Sequence, residues 1–148
     1  MIGQYHSGGM LRKYAEDALV AYLTNSGVAS VRHAYADTEQ DASAVVVWAR
    51  QTREMDNVSY RLARYMDIEA RVLTYAEPED AADAVRDEHF GTVQRVGEAL
   101  MQSDIAAQIN NSQLQIAFSS LYVTGDAGGI QDGKYMTTIT IEALVSPK

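Results

Sequence analysis

Two stretches of this chain alternate between apolar and polar residues for longer than a helix or a loop would allow. From Val58 to Tyr75, VSYRLARYMDIEARVLTY places Leu62, Met66, Ile68, Ala70 and Val72 on one side, and TTITIEALV, ending at Val145, alternates strictly. A period of two sends successive side chains to opposite faces of a pleated strand, so both stretches are strands and the fold is built on a sheet. Arg64 interrupts the apolar side of the first, which marks a place for a bulge or a protruding end.

The second stretch is preceded by TGDAGGIQDGKYMTT, Thr124 to Thr138. Gly128 to Lys134 match the pattern G-x-x-x-x-G-K of a phosphate-binding loop. That loop also needs a Ser or Thr after the lysine, and a helix whose first amides face the phosphate. Here Tyr135 follows and opens a strand. The glycines instead suit a long β-loop at 125–134 between strands Leu114 to Thr124 and Tyr135 to Val145.

Upstream, Leu11, Tyr14, Ala15, Ala18, Leu19, Tyr22 and Leu23 recur at helical spacing, and Asn25-Ser26-Gly27 stops that helix. A strand over Val28 to Tyr35, a polar loop and the apolar run Val45 to Ala49 follow. Pro78, Glu79 and Asp80 open a second helix running to about Met101, with Ala82, Val85, His89, Val93, Val96 and Leu100 facing inward. Ser103 can cap a short third helix, Asp104 to Ile109. The expected fold is α+β: one mainly antiparallel or mixed sheet of about five strands packed with two main helices, in the order α-β-β-β-α-(short α)-β-β. Residues 1–148 form a single domain, with an N-terminal arm at 1–9.

A chain of 148 residues buries about 70% of the surface its unfolded form exposes and needs no staple. It has no cysteine, so thiolate zinc sites and cysteine nucleophiles are excluded. No apolar run approaches the ~18 residues that span a bilayer, and the start lacks a signal-peptide pattern; the expectation is a soluble protein with no membrane partner. The net charge of −8 argues against a surface that wraps nucleic acid.

Catalytic patterns are lacking. Asp83 and Asp87 lie one helical turn apart, a spacing able to hold a cation, yet no glycine-bearing calcium loop accompanies them. A solvated helix face accounts for them. His89 lies on an apolar helix side with no His or Cys at metal spacing, and reads as a core or interface histidine. Ser43, Ser119 and Ser120 lack a nucleophile elbow. No cofactor, no metal and no enzymatic activity are expected.

In its order of elements the chain resembles the tail terminator (tail-completion, neck) proteins of long-tailed bacteriophages, the lambda-type terminator among them. The stretches that carry the resemblance are LRKYAEDALVAYLTNSGV, AVVVWAR, YRLARYMDIEARVLTY, DAADAVRDEHFGTVQRVGEAL and YMTTITIEALVSP. The resemblance implies a virion protein, assembled in the host cytoplasm. It would form a ring, typically sixfold, that caps the tail tube, ends its polymerisation and faces the head connector. Partners would then be copies of itself, the tail tube protein and head-tail connector proteins, with DNA only passing through the lumen.

Two segments are the candidate partner surfaces. One is RQTREMD, with Arg50, Arg53, Glu54 and Asp56, expected between two strands; the other is the glycine-rich loop, with Asp126, Gln131, Asp132 and Lys134. Three alternatives stay open: another connector ring of the phage neck, a small ligand-binding domain using His89 with Asp83 and Asp87, and an adaptor that binds peptides along a strand edge.

Overall fold

A computed structural model describes residues 9–34, 43–54, 63–77, 80–131 and 134–148. Its elements are α1 (Gly9–Asn25), β1 (Val31–His33), β2 (Ala44–Glu54), β3 (Arg64–Tyr75), α2 (Ala82–Leu100), α3 (Ile105–Ser112), β4 (Ile116–Gln131) and β5 (Lys134–Pro147). The five strands form one sheet in the order β1-β2-β3-β5-β4, with β1 parallel to β2 and the other pairs antiparallel. The expected α+β class and element order hold.

Alternation decides which face is covered. Met66, Ile68, Ala70 and Val72 of β3 are fully buried, and they share a core with Ile139, Ile141, Ala143 and Val145 of β5 and with apolar residues of all three helices. The helices therefore lie on one face of the sheet. The other face carries Tyr65, Asp67, Glu69 and Arg71, which are half-buried by their neighbours in the sheet.

Helix α1 buries Ala15, Ala18, Leu19 and Leu23, the inner part of the expected stripe. It ends in a Schellman turn: Val28 N–H donates to Leu23 O at 3.1 Å and Gly27 N–H to Thr24 O at 3.1 Å, with Gly27 at φ 91°. This turn, with Ser30 at φ 57°, consumes the residues expected to begin β1 and leaves a strand of three. Tyr35, the expected end of that strand, lies outside the described residues, as do the arm at 1–8 and Pro78 and Glu79.

Three boundaries differ from expectation. First, Arg50–Glu54 do not lie between strands: they continue β2 beyond a bulge between Ala49 and Gln51. The bulge is held from outside the sheet by α1, whose Arg12 Nε donates to Ala49 O at 2.8 Å while Glu16 Oε2 accepts from Ala49 N at 3.0 Å. Second, β3 begins at Arg64, so the interruption expected there falls at a strand end, while the bulge lies on the facing strand opposite Ile68 and Asp67; residues 58–62 of the expected strand lie outside the described residues. Third, the glycine-rich segment is strand from Gly125 to Gln131, and Asp132 and Gly133 lie outside the described residues. The β4–β5 ladder continues to Gln131 opposite Lys134, pinned by Thr140 Oγ1 donating to Gly125 O at 3.0 Å and Thr124 Oγ1 to Thr140 O at 3.2 Å.

The short helix α3 is preceded by Asp104, without a side-chain cap, rather than by a capping Ser103. Its Asn110 has another task. The side-chain amide accepts from Phe118 N at 2.7 Å and donates to Phe118 O at 2.9 Å, closing the edge of β4 at that residue as a neighbouring strand would.

Candidate interaction surfaces

The helix-free face carries a polar row across four strands. The register sets Gln51 beside Asp67, Asp67 beside Glu142 and Glu142 beside Tyr122. Two carboxylates directly opposite each other repel. Arg53 reaches both, with Nη2 at 3.0 Å from Asp67 Oδ1 and 2.9 Å from Glu142 Oε2. Gln51 Nε2 donates to Asp67, and the Tyr122 hydroxyl to Glu142. Burial pushes the Asp67 carboxyl up, but hydrogen bonds from Gln51 and Arg53 outweigh it and hold the group below its ordinary value. The Tyr122 hydroxyl is pushed up, mainly by its bond to Glu142.

One row further on, Arg71 lies over the Trp48 ring at 5.5 Å from the centroid and pairs with Glu69 at 3.0 Å. The face is thus a set of mutually satisfied charges interleaved with aromatic rings.

Of the residues singled out from the sequence, Arg50 and Arg53 stand exposed on the far half of β2, and Glu54 closes that strand opposite Arg64. Asp126 is exposed on β4, and Gln131 and Lys134 form the last described pair of the hairpin. Asp56 and Asp132 lie outside the described residues. The structure does not bring the two segments together. One lies on β2, second from one side of the sheet, and the other on β4, the strand at the opposite edge.

The β4 edge is open beyond Phe118. Among the described residues no strand pairs with its outer side. Since Phe118 turns its N–H and C=O outward to Asn110, strand alternation sends those of Leu121, Val123, Asp126, Gly128 and Ile130 the same way. Sheet edges are ordinarily guarded by Lys, Pro or covering elements. Between Ile116 and Gln131 the sole charged residue is Asp126, and every residue from Thr124 to Ile130 is exposed.

His89 is where α2 meets the sheet. It is 1% exposed, with Nδ1 at 2.9 Å from Thr74 Oγ1 of β3 and Nε2 at 2.8 Å from Thr137 Oγ1 of β5. Burial lowers its pKa, so the ring is neutral, one nitrogen donating and the other accepting. Asp83 and Asp87 are exposed on the same helix. The three do not converge on a ligand, and no group of three His, Asp or Glu among the described residues is placed to hold a metal. Among the described residues no helix is long and apolar enough to cross a membrane.

No protein-family model matches the chain, and no curated protein matches it in sequence. Among solved structures it is similar to a chain of the virion of a native gene transfer agent particle, with a TM-score of 0.63 over 97% of this chain and 99% of that one, at 14% identity. The two chains share a fold. The likeness spans nearly the whole of both chains rather than one motif.

Sequence reasoning missed Asp67, Glu142 and Tyr122 as a group, because a polar row across strands depends on register. It also missed Thr74 and Thr137 as partners of His89. The available signal was limited to Asp67 and Glu142 falling on the polar side of their alternating stretches.

Proposed function

We propose that this is a structural virion protein that forms a ring, sixfold in symmetry, at the head-proximal end of a phage-like tail, where it ends tail-tube polymerisation and joins the tail to the head connector. The observation that carries this reading is the whole-length likeness to a chain of a gene transfer agent virion. The open edge of β4 supports it, because a ring subunit needs a surface that stays unsatisfied until a neighbour arrives. No catalytic step is assigned to it.

The net charge of −8 fits a lumen that lets DNA pass without gripping it. A basic lumen in the assembled particle would refute that part.

The test is the mass of the protein in solution across concentration, with negative-stain images in the presence and absence of tail tubes. Rings on tube ends are the expected result. Rings that bind a head connector and ignore tubes would point to a different neck component, and a monomer indifferent to both would overturn the virion reading.

A further inference from the structure

A groove of about 400 Å³ runs along the open edge of β4, between that strand and the turn from α2 to α3. Leu100, Met101, Ile105 and Ala106 line it from the helices, and Leu121 and Val123 from the strand. Met101 is 74% exposed, so among the described residues the groove is uncovered. The helix-facing residues of β4 are the ones whose N–H and C=O point outward. A strand added to this edge would therefore turn alternate side chains into the groove.

The chain contains a segment of suitable length and charge. Residues 1–8, MIGQYHSG, lie outside the described residues. Extended, eight residues span about 26 Å, roughly the length of the strip from Leu121 to Ile130. They include no proline, so their backbone can pair throughout, and no acid to repel Asp126, the sole charged residue of β4. Residues 35–42, by contrast, hold Asp37, Glu39 and Asp41, and residues 55–62 hold Asp56 and are tied at both ends by the β2–β3 pair. Helix α1, which follows the segment, is bonded to β2 at Ala49 through Arg12 and Glu16, and β3 and β5 lie between that point and the β4 edge. The segment thus leaves a subunit on one side of the sheet, and the strip that fits it lies on the other. That is the arrangement of a heterologous contact, the kind that propagates into a closed ring.

Resting on the ring reading above, we infer that the β4 edge from Leu121 to Ile130 takes residues 1–8 of a second copy as an added strand, with Ile2 in the groove beside Met101. Ile2 and Tyr5 are an odd number of residues apart, so an extended strand sends Tyr5 to the opposite face. That is the side of Tyr122, which is 49% exposed.

Two substitutions in the full-length chain test the contact from its two sides. Ile2→Asp and Met101→Lys each put a charge into the groove, and each should raise the concentration needed for assembly by about tenfold or more, read by sedimentation velocity. Circular dichroism checks that both fold. In the assembled parent the amides of Leu121, Val123, Asp126, Gly128 and Ile130 should exchange hydrogen at least about tenfold more slowly than in either variant, and this protection should grow with protein concentration. Folded variants that assemble like the parent, or edge amides that exchange alike in parent and variants, would overturn the strand addition while leaving the ring reading in place. Protection independent of concentration would seat the segment on its own subunit and overturn the contact between copies. A parent chain that remains monomeric with and without tail tubes would overturn both.

Discussion

Asp67 and Glu142 face each other across the β3–β5 register with Arg53 of β2 bonded to both. Two acids in adjacent positions on one sheet face are tolerable because a cation from a third strand neutralises them. The arrangement ties three strands together on the side that no helix covers.

Arg53→Gln should therefore destabilise the chain through the repulsion it leaves behind. Arg53 is nearly half exposed, so solvent screening limits the loss to about 1 kcal/mol. Adding Glu142→Gln should recover part of it, and the difference appears in a double-mutant cycle of urea midpoints. The Asp67 carboxyl is held below its ordinary value, so its contribution is fully present above the unfolded carboxyl pKa of about 3.9 and is lost as pH falls through the folded value.

His89 titrates in a different window. Burial depresses its folded pKa, so the unfolded chain takes up a proton first as pH falls below about 6.5, and the stability gained from burying the neutral ring is lost as pH drops through the folded value. Thr74, Thr137 and Tyr135 face the ring, and none of them is a carboxylate that would stabilise the charged form. Between pH 7 and 5 the parent should lose more stability than His89→Gln does. Equal slopes of urea midpoint against pH would contradict this account.

Asn110→Ala removes the amide that closes the β4 edge, and leaves Phe118 N–H and C=O to water or to nothing. A loss of about 1–2 kcal/mol is expected. Hydrogen exchange should quicken at Phe118 before it does in β3.

Gly27→Ala forces a side chain into φ 91° with open space around the Cβ, so the whole cost is backbone strain, about 1 kcal/mol. Thermal unfolding of the two proteins measures it. A cost near zero would mean that the turn after α1 relaxes.

Removing 126–132 shortens the hairpin past Gly125, while β5 keeps its pairing with β3 along its whole length. The domain should stay folded and lose assembly. Loss of the folded monomer would show that the distal hairpin belongs to the core.

Local periodicity was enough to reveal the helices and strands themselves. Leu19 and Leu23 on a helical stripe, and Met66, Ile68 and Val72 on an alternating one, can bury their side chains in just one kind of backbone, whatever the rest of the chain does. Glycines misled at 125–131 because the cost of placing Gly128 and Gly129 in a strand is local, whereas the ladder that offsets it comes from Met136 to Thr140, a partner strand that local composition does not identify. Charge misled at Arg50–Glu54 for a related reason: exposed strand ends accept arginine and glutamate as readily as loops do. The row from Gln51 to Tyr122, the threonine clasp on His89 and the open edge of β4 all depend on register and strand order. Those were set when β5 inserted between β3 and β4, a long-range packing choice in which residues more than 60 positions apart became neighbours.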